Sequence, residues 1–235
     1  PRSTLFPYTT LFRSHQPGQF VEISLFGIGE CPISVTSSPT EKGYFELCIR
    51  KTGKVTDALH ELKEGATVAI RGPFGRGFDV NEIKGHDIVF VGGGIGLVPM
   101  RSLINYVLHP DYRKNYNKIS ILYGAKNPQE FLFPDEMKEW TSRTDIDFKV
   151  TVDRTSEGWT GNVGLITTLI PPLNIDPAKT YCVIVGPPIM YKFVLIELDS
   201  KKIPDDKIIL SLERQMKCGV GKCGQIGRAS CRERV

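Results

Sequence analysis

The chain has 235 residues, 40% of them hydrophobic, and a formal net charge of +4. This length and composition suffice for one large or two small domains with hydrophobic cores. No stretch approaches the roughly 18 consecutive apolar residues that a membrane-spanning helix needs. The sequence therefore predicts no membrane span.

The two ends of the chain differ from the rest. Residues 1–14 and 226–235 resemble translated sequencing-adapter sequence, and neither continues the periodicity of its neighbours. We interpret both as foreign segments, with genuine disordered tails as the alternative. They hold five arginines and one glutamate, so the rest of the chain has a formal charge of 0. The net positive charge of the whole chain therefore gives no indication of nucleic acid or an anionic membrane as a partner, and we expect no nucleic-acid partner.

Residues 15–84 show the alternating pattern of β-strands. Alternation predicts strands at 19–25, 44–50 and 67–71, with Gly and Pro-Gly turns between them and one short helix near 56–62. The pattern is typical of an antiparallel β-barrel. Because the natural N-terminus is missing on this interpretation, we expect the barrel to lack a strand and to expose a sheet edge.

Residues 85–212 alternate between apolar strands and amphipathic helices. The predicted strands cover 88–91, 119–123, 148–152, 181–185 and 208–212, and the predicted helices cover 100–108, 136–140, 165–170 and 189–198. Such alternation implies a parallel sheet with right-handed crossovers. The sequence thus predicts two domains, a barrel followed by a Rossmann-like α/β domain, with the boundary near residues 83–86.

A glycine-rich turn follows the first strand of the α/β domain. A strand that enters such a turn and then a helix presents backbone N–H groups and a helix N-terminus to a diphosphate. A purely structural turn is the alternative, because Leu97 stands where the G-x-G-x-x-G fingerprint has its third glycine. A second loop, 186–188, follows the fourth strand, and the carboxyl ends of parallel strands face one crevice. The candidate nucleotide contacts are Gly92, Gly93, Gly94, Ile95, Gly96, Pro99, Gly186, Pro187 and Pro188.

Two cysteines near the C-terminus have metal-ligand spacing. Cys218 and Cys223, with four residues between them, open the plant-type [2Fe–2S] pattern C-x4-C-x2-C…C, and the glycines between them can turn N–H groups toward sulfide. The third ligand would fall at position 226, which is Ile226, and Cys231 stands too far on. The sequence predicts a cluster site with an incomplete ligand set in this chain, and two ordinary thiols are the alternative.

These segments together resemble the flavin- and nicotinamide-binding reductases of the ferredoxin–NADP reductase superfamily. The resemblance covers nearly all of residues 15–225 and is most specific at 72–75, 92–99, 123–126, 186–188 and 212–218. Within the superfamily it is greatest to electron-transfer subunits with a C-terminal [2Fe–2S] cluster. These are the gamma subunit of cytoplasmic NiFe hydrogenases and the corresponding subunits of anaerobic sulfite reductase and dihydroorotate dehydrogenase. The segment 212–218 favours the first two.

The resemblance implies FAD in residues 15–84, NAD(P) in residues 85–212 and a cluster segment that begins at 213–225. The family's flavin strand carries Arg before Pro-x-Ser, and here Cys31 replaces that arginine. Lys51 or Lys54 and the N–H groups at the following helix start would then meet the phosphate charge. The implied FAD contacts are Pro32, Ile33, Ser34, Gly53, Val55 and Thr56. The implied NAD(P) contacts also include Tyr123, Gly124, Ala125, Lys126 and Asp153.

The implied function is that of a flavoprotein oxidoreductase subunit that moves electrons between NAD(P)H, FAD and a [2Fe–2S] cluster. Nicotinamide transfers a hydride, a cluster takes single electrons and a flavin does both, so no catalytic side chain is expected. The implied partners are redox subunits of a hydrogenase or a sulfite reductase. The dihydroorotate dehydrogenase subunit and a non-catalytic nucleotide-sensing module on the same fold are the alternatives.

Two further expectations concern the compartment and the nucleotide. Without Cys231 the chain has five cysteines, an odd number that suits a reducing cytoplasm better than a disulfide framework. An acidic residue after the second strand would bind a ribose 2′-hydroxyl and disfavour NADP. Lys126 stands there instead, so the sequence predicts that a 2′-phosphate is tolerated.

Overall fold

The computed structural model describes residues 3–7, 14–211 and 232–234, the first and last of these by their backbone alone. The chain divides into two compact units. The described residues up to Phe78 and residues 101–109 form the first unit, and residues 79–100 and 110–211 form the second. Because residues 101–109 join the first unit, the division does not follow a single boundary in sequence, and the bounds given above stay predictions.

The first unit is an antiparallel β structure. It contains strands β1 (Ser3–Pro7), β2 (Phe20–Leu25), β3 (Gly29–Ser34) and β4 (Tyr44–Cys48), helix α1 (Lys54–Glu61) and strand β5 (Ala69–Phe74). Strand β2 lies between β3 and β5, β1 pairs with β4, and a bridge between Val35 and Leu47 joins the two sheets. These pairings confirm the prediction of an antiparallel, barrel-like first part.

Part of the N-terminal segment that we interpret as foreign lies in this sheet, since Ser3–Pro7 pairs with β4. The pairing does not test where that segment comes from, and the interpretation stays a prediction. The core of the unit comes from side chains that alternate inward along its strands and from one residue of α1. These buried residues are Val21, Ile23, Val35, Phe45, Leu47, Ile49 and Leu59.

The second unit is built on a parallel sheet. Its elements are β6 (Asp87–Gly93), the first turn of α2 (Leu97–Leu108), α3 (Pro110–Arg113), β7 (Ile119–Ala125), α4 (Pro134–Ser142), β8 (Asp147–Val152), β9 (Asn162–Val163), β10 (Thr180–Val185), α5 (Pro188–Ser200) and β11 (Ile208–Ser211). Residues 101–108 of α2 belong to the first unit. Six parallel strands run in the order β11-β10-β6-β7-β8-β9, and β12 (Arg232–Arg234) pairs antiparallel with β11. This sheet confirms the Rossmann-like prediction.

The strand order reverses between β6 and β10. From β6 the chain adds β7, β8 and β9 on one side, then returns to add β10 and β11 on the other. In parallel sheets the crevice at such a reversal, outside the carboxyl ends of the strands, is where ligands bind. The turns after β6 and β10 are the two loops that the sequence marks as nucleotide contacts.

Several elements differ from the sequence prediction. The helix predicted at 165–170 is a short 3₁₀ turn, Ile166–Leu169, which follows the unpredicted strand β9. Two buried side chains, Ile166 and Leu169, hold this turn against the sheet and produce the apolar spacing that suggests a helix. Strand β3 is absent from the alternation pattern because its residues are exposed or only half-buried.

Among the described residues no helix combines the length and the apolar character needed to cross a membrane.

Candidate functional site

The loop before α1 is shaped by one hydroxyl group. The Thr56 Oγ1 accepts hydrogen bonds from the N–H groups of Thr52 and Gly53, both at 2.9 Å, and donates to the carbonyl of Gly53 at 2.9 Å. The N–H groups of Lys54 and Val55 occupy the first helical turn, where helix geometry offers no intrahelical acceptor. The loop thus points donors and the positive end of the helix dipole outward, an arrangement that suits a phosphate.

Strand β3 carries the predicted flavin residues on two faces. Pro32 pairs with Glu22 across β2 and is exposed, and Ser34 pairs with Phe20 and is half-buried. Ile33 lies on the opposite face and packs against the core of the unit, as does Val55 of α1. The side chains of Pro32 and Ser34 therefore lie on the same face of β3. Ile33 and Val55 have only their backbone to offer a ligand.

The replacement at position 31 leaves a thiol with little reactivity. Cys31 packs against the same core, and burial raises the pKa of its thiol to about 11, with Glu22 and Glu30 adding to the shift. A protonated, half-buried thiol is a poor nucleophile. Cys31 therefore serves as a small apolar residue in β3.

Next to Pro32 the sheet carries a buried carboxyl group that the sequence does not single out. Glu22 is 1% exposed, and its Oε1 has no hydrogen-bond partner among the described residues. Arg71, paired with Glu22 in β5, binds instead to Glu30, with Nε–Oε2 at 2.9 Å and Nη2–Oε1 at 2.5 Å. Burial raises the pKa of Glu22, Glu30 adds to this shift and Arg71 opposes it. From the alternation of apolar and polar residues along β2, Glu22 would be expected on the solvent-exposed face of the sheet.

We expect Glu22→Gln to stabilise the folded chain at neutral and alkaline pH. Because burial raises the pKa of Glu22, ionising this carboxyl group costs more free energy in the folded than in the unfolded state. The stability of the wild type therefore falls as the pH rises from the pKa of Glu22 in the unfolded chain through its raised pKa in the folded chain. The amide carries no charge to bury. The Tm should rise by about 2–4 °C at pH 8, as about 1 kcal/mol would produce, and change little at pH 4. Scanning calorimetry at both pH values measures this, and an equal shift at both would contradict it.

The glycine turn after β6 packs directly on the end of β10. A Cβ added at Gly96 would lie 2.3 Å from the carbonyl oxygen of Val185, and one added at Gly93 would lie 3.1 Å from Pro187 and 2.6 Å from the Met190 Sδ. At Gly96 the contact is with backbone, so only glycine permits this approach. The structure therefore brings the 92–96 turn together with the 186–188 loop, as the sequence predicts.

Gly94 has a different environment within the same turn. Its φ is +55°, and a Cβ there would have no described atom within 4 Å. The backbone at Gly94 thus borders open space just before the N-terminus of α2. Bare backbone beside a helix N-terminus allows a diphosphate to approach closely, so the residues present fit a dinucleotide.

The ends of β7 and β8 are held side by side by backbone hydrogen bonds. The N–H of Asp153 donates to Ala125 O at 3.0 Å, and the N–H of Arg154 donates to Lys126 O at 2.9 Å. The side chains of Lys126 and Arg154 are both exposed. Two neighbouring strands thereby present two cations at the carboxyl edge of the sheet.

The loops beside these cations contain an aromatic cluster and an orphaned acceptor. Tyr123 is fully buried, packs on Phe131 at 5.4 Å and accepts a hydrogen bond from Leu132 N–H, while Phe131 packs on Trp159 at 5.5 Å. Tyr123 thus shapes the loop from within. The Oδ1 of Asn127 is buried without a partner among the described residues, and such an atom fits a ligand hydroxyl or amine.

Tyr191 of α5 joins the second loop to the end of β11. Its hydroxyl accepts a hydrogen bond from Gly186 N–H at 3.2 Å and donates one to Ser211 O. Ser211 precedes the predicted cluster segment in sequence. The predicted cluster ligands Cys218 and Cys223 lie outside the described residues. Within the described part of the chain, no three His, Cys, Asp or Glu side chains are grouped so as to hold a metal ion.

Comparison with known proteins identifies both parts of the chain. Residues 11–78 match the oxidoreductase FAD-binding domain, and residues 90–195 match the oxidoreductase NAD-binding domain. The gamma subunit of sulfhydrogenase 1 from Pyrococcus furiosus is 42% identical over 212 residues, which cover 89% of this chain and 72% of that protein. A probable electron transfer subunit of dihydroorotate dehydrogenase B (NAD(+)) from Methanothermobacter thermautotrophicus is 34% identical over 216 residues, covering 91% and 72%.

Solved structures show the same fold. The NADH-dependent reduced ferredoxin–NADP oxidoreductase superposes with a TM-score of 0.74 at 27% identity, covering 95% of this chain and 75% of that one. A ferredoxin NADP+ reductase from Neisseria gonorrhoeae with bound FAD and NADP superposes with a TM-score of 0.71, at 19% identity and with 88% and 90% covered.

The fold and the two domain matches define a flavoprotein oxidoreductase that uses NAD(P)H, with the ferredoxin–NADP reductase architecture. Within that class, the chain belongs to the family that includes the sulfhydrogenase gamma subunits and the electron transfer subunits of dihydroorotate dehydrogenase B. This confirms the resemblance to the superfamily and to the hydrogenase and dihydroorotate dehydrogenase subunits, and the resemblance to the sulfite reductase subunit stays a prediction.

Proposed function

We propose that the chain represents the electron-transfer subunit of a hydrogenase-type enzyme, in which electrons move between NAD(P)H, FAD and a [2Fe–2S] cluster and on to a redox partner subunit. This chain itself carries only two of the four thiolate ligands of that cluster, Cys218 and Cys223. The observation that carries this proposal is the 42% identity to a sulfhydrogenase gamma subunit across both nucleotide-binding parts. The 34% identity to a dihydroorotate dehydrogenase subunit supports a second candidate partner. We also propose a subunit of anaerobic sulfite reductase as an alternative partner in place of the hydrogenase. The proposed location is the cytoplasm.

FAD would occupy the loop before α1 and the exposed face of β3. The N–H groups of Lys54 and Val55, with the loop shape fixed by Thr56, would bind the diphosphate, and Pro32 and Ser34 would contact the flavin half. Bound FAD accepts a hydride and gives up electrons singly. The chain's own residues bind and orient the cofactor, and no side chain is assigned a proton transfer.

NAD(P) would lie at the strand reversal between β6 and β10. The bare backbone at Gly94 and the N-terminus of α2 would receive the diphosphate. The adenosine half would then extend over the ends of β7 and β8. There Lys126 and Arg154 would meet a 2′-phosphate, and Asn127 Oδ1 would accept a hydrogen bond from the ligand.

We expect Lys126→Glu to lower the affinity for NADPH about tenfold relative to that for NADH. The substitution replaces a cation with an anion at the position proposed for the 2′-phosphate, and a tenfold change corresponds to about 1.4 kcal/mol. Titration calorimetry with both nucleotides measures the ratio. Lys138→Glu, an exposed lysine on α4, is the matched control. An unchanged NADPH/NADH affinity ratio in Lys126→Glu would remove Lys126 as the selector.

The proposed function is tested by reconstituting the chain with FAD and, separately, with iron and sulfide. We expect flavin absorbance bands and reduction of a dye by NADH or NADPH, which a non-catalytic sensing module would not catalyse. The paramagnetic resonance spectrum after reduction should contain no stable [2Fe–2S] signal, because Cys218 and Cys223 supply two of the four thiolates and position 226 is Ile226. A stable cluster signal would contradict the interpretation of residues 226–235 as foreign.

A further inference from the structure

The proposed contacts orient the bound FAD along strand β3. Pro32 and Ser34, the residues proposed for the flavin half, lie toward the end of this strand. Gly29, at its start, lies against α1, where a Cβ added to Gly29 would be 3.2 Å from the Val55 Cγ2. The strand from Gly29 to Ser34 spans about 16 Å. The Gly29–Val55 contact lies on the core face and places the α1 N-terminus near the start of β3. An FAD with its flavin at Pro32 and Ser34 and its diphosphate at this N-terminus thus runs from the end of the strand toward its start, and in that direction the adenosine half would reach the turn between β2 and β3.

That turn presents an aromatic ring to solvent. The N–H of Ile28 bonds to Leu25 O at 3.0 Å, and Gly27 has a φ of +77°, so that the chain reverses tightly over Phe26 and Gly27. The side chain of Phe26 is fully exposed. Turns of this kind favour Gly, Asn and Asp, and a large aromatic side chain gains nothing from exposure to water. The local fold does not explain why this position is Phe.

We propose that Phe26 stacks on the adenine ring of bound FAD. The inference rests on the proposed function, since it takes the FAD site at the α1 N-terminus as given. A purine offers a flat π-face, and stacking on an aromatic side chain stabilises such complexes without requiring hydrogen bonds from the protein. Phe26 would thus make the site selective for the dinucleotide, because FMN shares the flavin half and lacks the adenosine.

The test compares FAD and FMN binding to the full 235-residue chain and to Phe26→Ala. We expect the FAD affinity to fall about tenfold in Phe26→Ala, within the range measured for base stacking on aromatics, while the FMN affinity stays the same. Phe26→Tyr should bind FAD like the wild type. Phe193→Ala removes an exposed ring from the second unit and should change neither affinity. Because Phe26 buries no surface in the fold, its substitution should leave the Tm unchanged.

The outcomes separate this inference from the proposed function. A wild-type chain that binds FAD together with a Phe26→Ala variant that binds it equally well overturns the inference alone, and Phe26 then faces another partner. An equal loss of FAD and FMN affinity also overturns it, because adenine stacking cannot affect FMN. A wild-type chain that fails to bind FAD overturns the proposed function and the inference with it.

Discussion

Replacing Gly94 with Ala is expected to weaken NADH and NADPH binding by at least about tenfold while leaving the fold intact. The added methyl group enters the open space above the turn, where the proposed diphosphate needs bare backbone. Its cost to folding is the strain of a non-glycine residue at a φ of +55°, about 1–2 kcal/mol. Titration calorimetry measures the affinity, and a Gly94→Ala chain that binds both nucleotides like the wild type would contradict the assignment.

Gly96→Ala is the matched variant, and its effect should fall on stability. Its methyl carbon would lie 2.3 Å from the carbonyl oxygen of Val185, so that the end of β10 or the start of α2 must move. Such overpacking against backbone is expected to cost about 3 kcal/mol of unfolding free energy. The Tm should therefore fall by several degrees more in Gly96→Ala than in Gly94→Ala. Equal Tm values would show that the turn is less constrained than the packing indicates.

Replacing Thr56 with Val is expected to lower FAD affinity on the order of 30-fold. The substitution keeps the shape of the side chain and removes the hydroxyl that makes three hydrogen bonds within the loop before α1. Without them the loop must be ordered at the moment of binding, which costs about 2 kcal/mol at roughly 1 kcal/mol or less per hydrogen bond. Flavin fluorescence during titration of the apoprotein measures the change.

Thr56→Ser provides the control for this experiment. Serine keeps the hydroxyl group and loses only a methyl group, so it should bind FAD within a few-fold of the wild type. If Thr56→Val bound FAD as tightly as Thr56→Ser, the loop before α1 would not be the diphosphate site. The FAD-binding domain match over residues 11–78 would stand in that case, and the diphosphate would have to bind elsewhere in it.

The sequence predicts the central strands of the second unit, β6, β7 and β10, well because they are buried on both faces. Val89, Phe90 and Val91 of β6 are all at most 3% exposed, and such strands appear as continuous apolar runs. Strand β3 carries no such signal. Its exposed residues include a proline, which an edge strand tolerates, and its partner β2 supplies the buried face.

The residues of the candidate site also fall into those that the sequence predicts and those that it does not. Glycine turns are visible in sequence because close backbone approaches exclude other residues, as at Gly96 beside Val185. Glu22, Asn127 and Phe26 could not be recognised, since what distinguishes each is burial or exposure that depends on other elements. Glu22 follows the strand alternation as any exposed carboxylate would, whereas in the folded chain its side chain is only 1% exposed.

The two hydrogen bonds of the Tyr191 hydroxyl have a consequence for electron delivery. One bond holds the Gly186 loop proposed for the nicotinamide nucleotide, and the other holds Ser211, from which the chain proceeds to Cys218 and Cys223. The Gly186 loop and Ser211, the last described residue before the predicted cluster segment, are thus hydrogen-bonded to the same hydroxyl group. We therefore expect nucleotide binding to be thermodynamically linked to the placement of that segment, and by reciprocity a partner that fixes the segment would alter the affinity for the nucleotide.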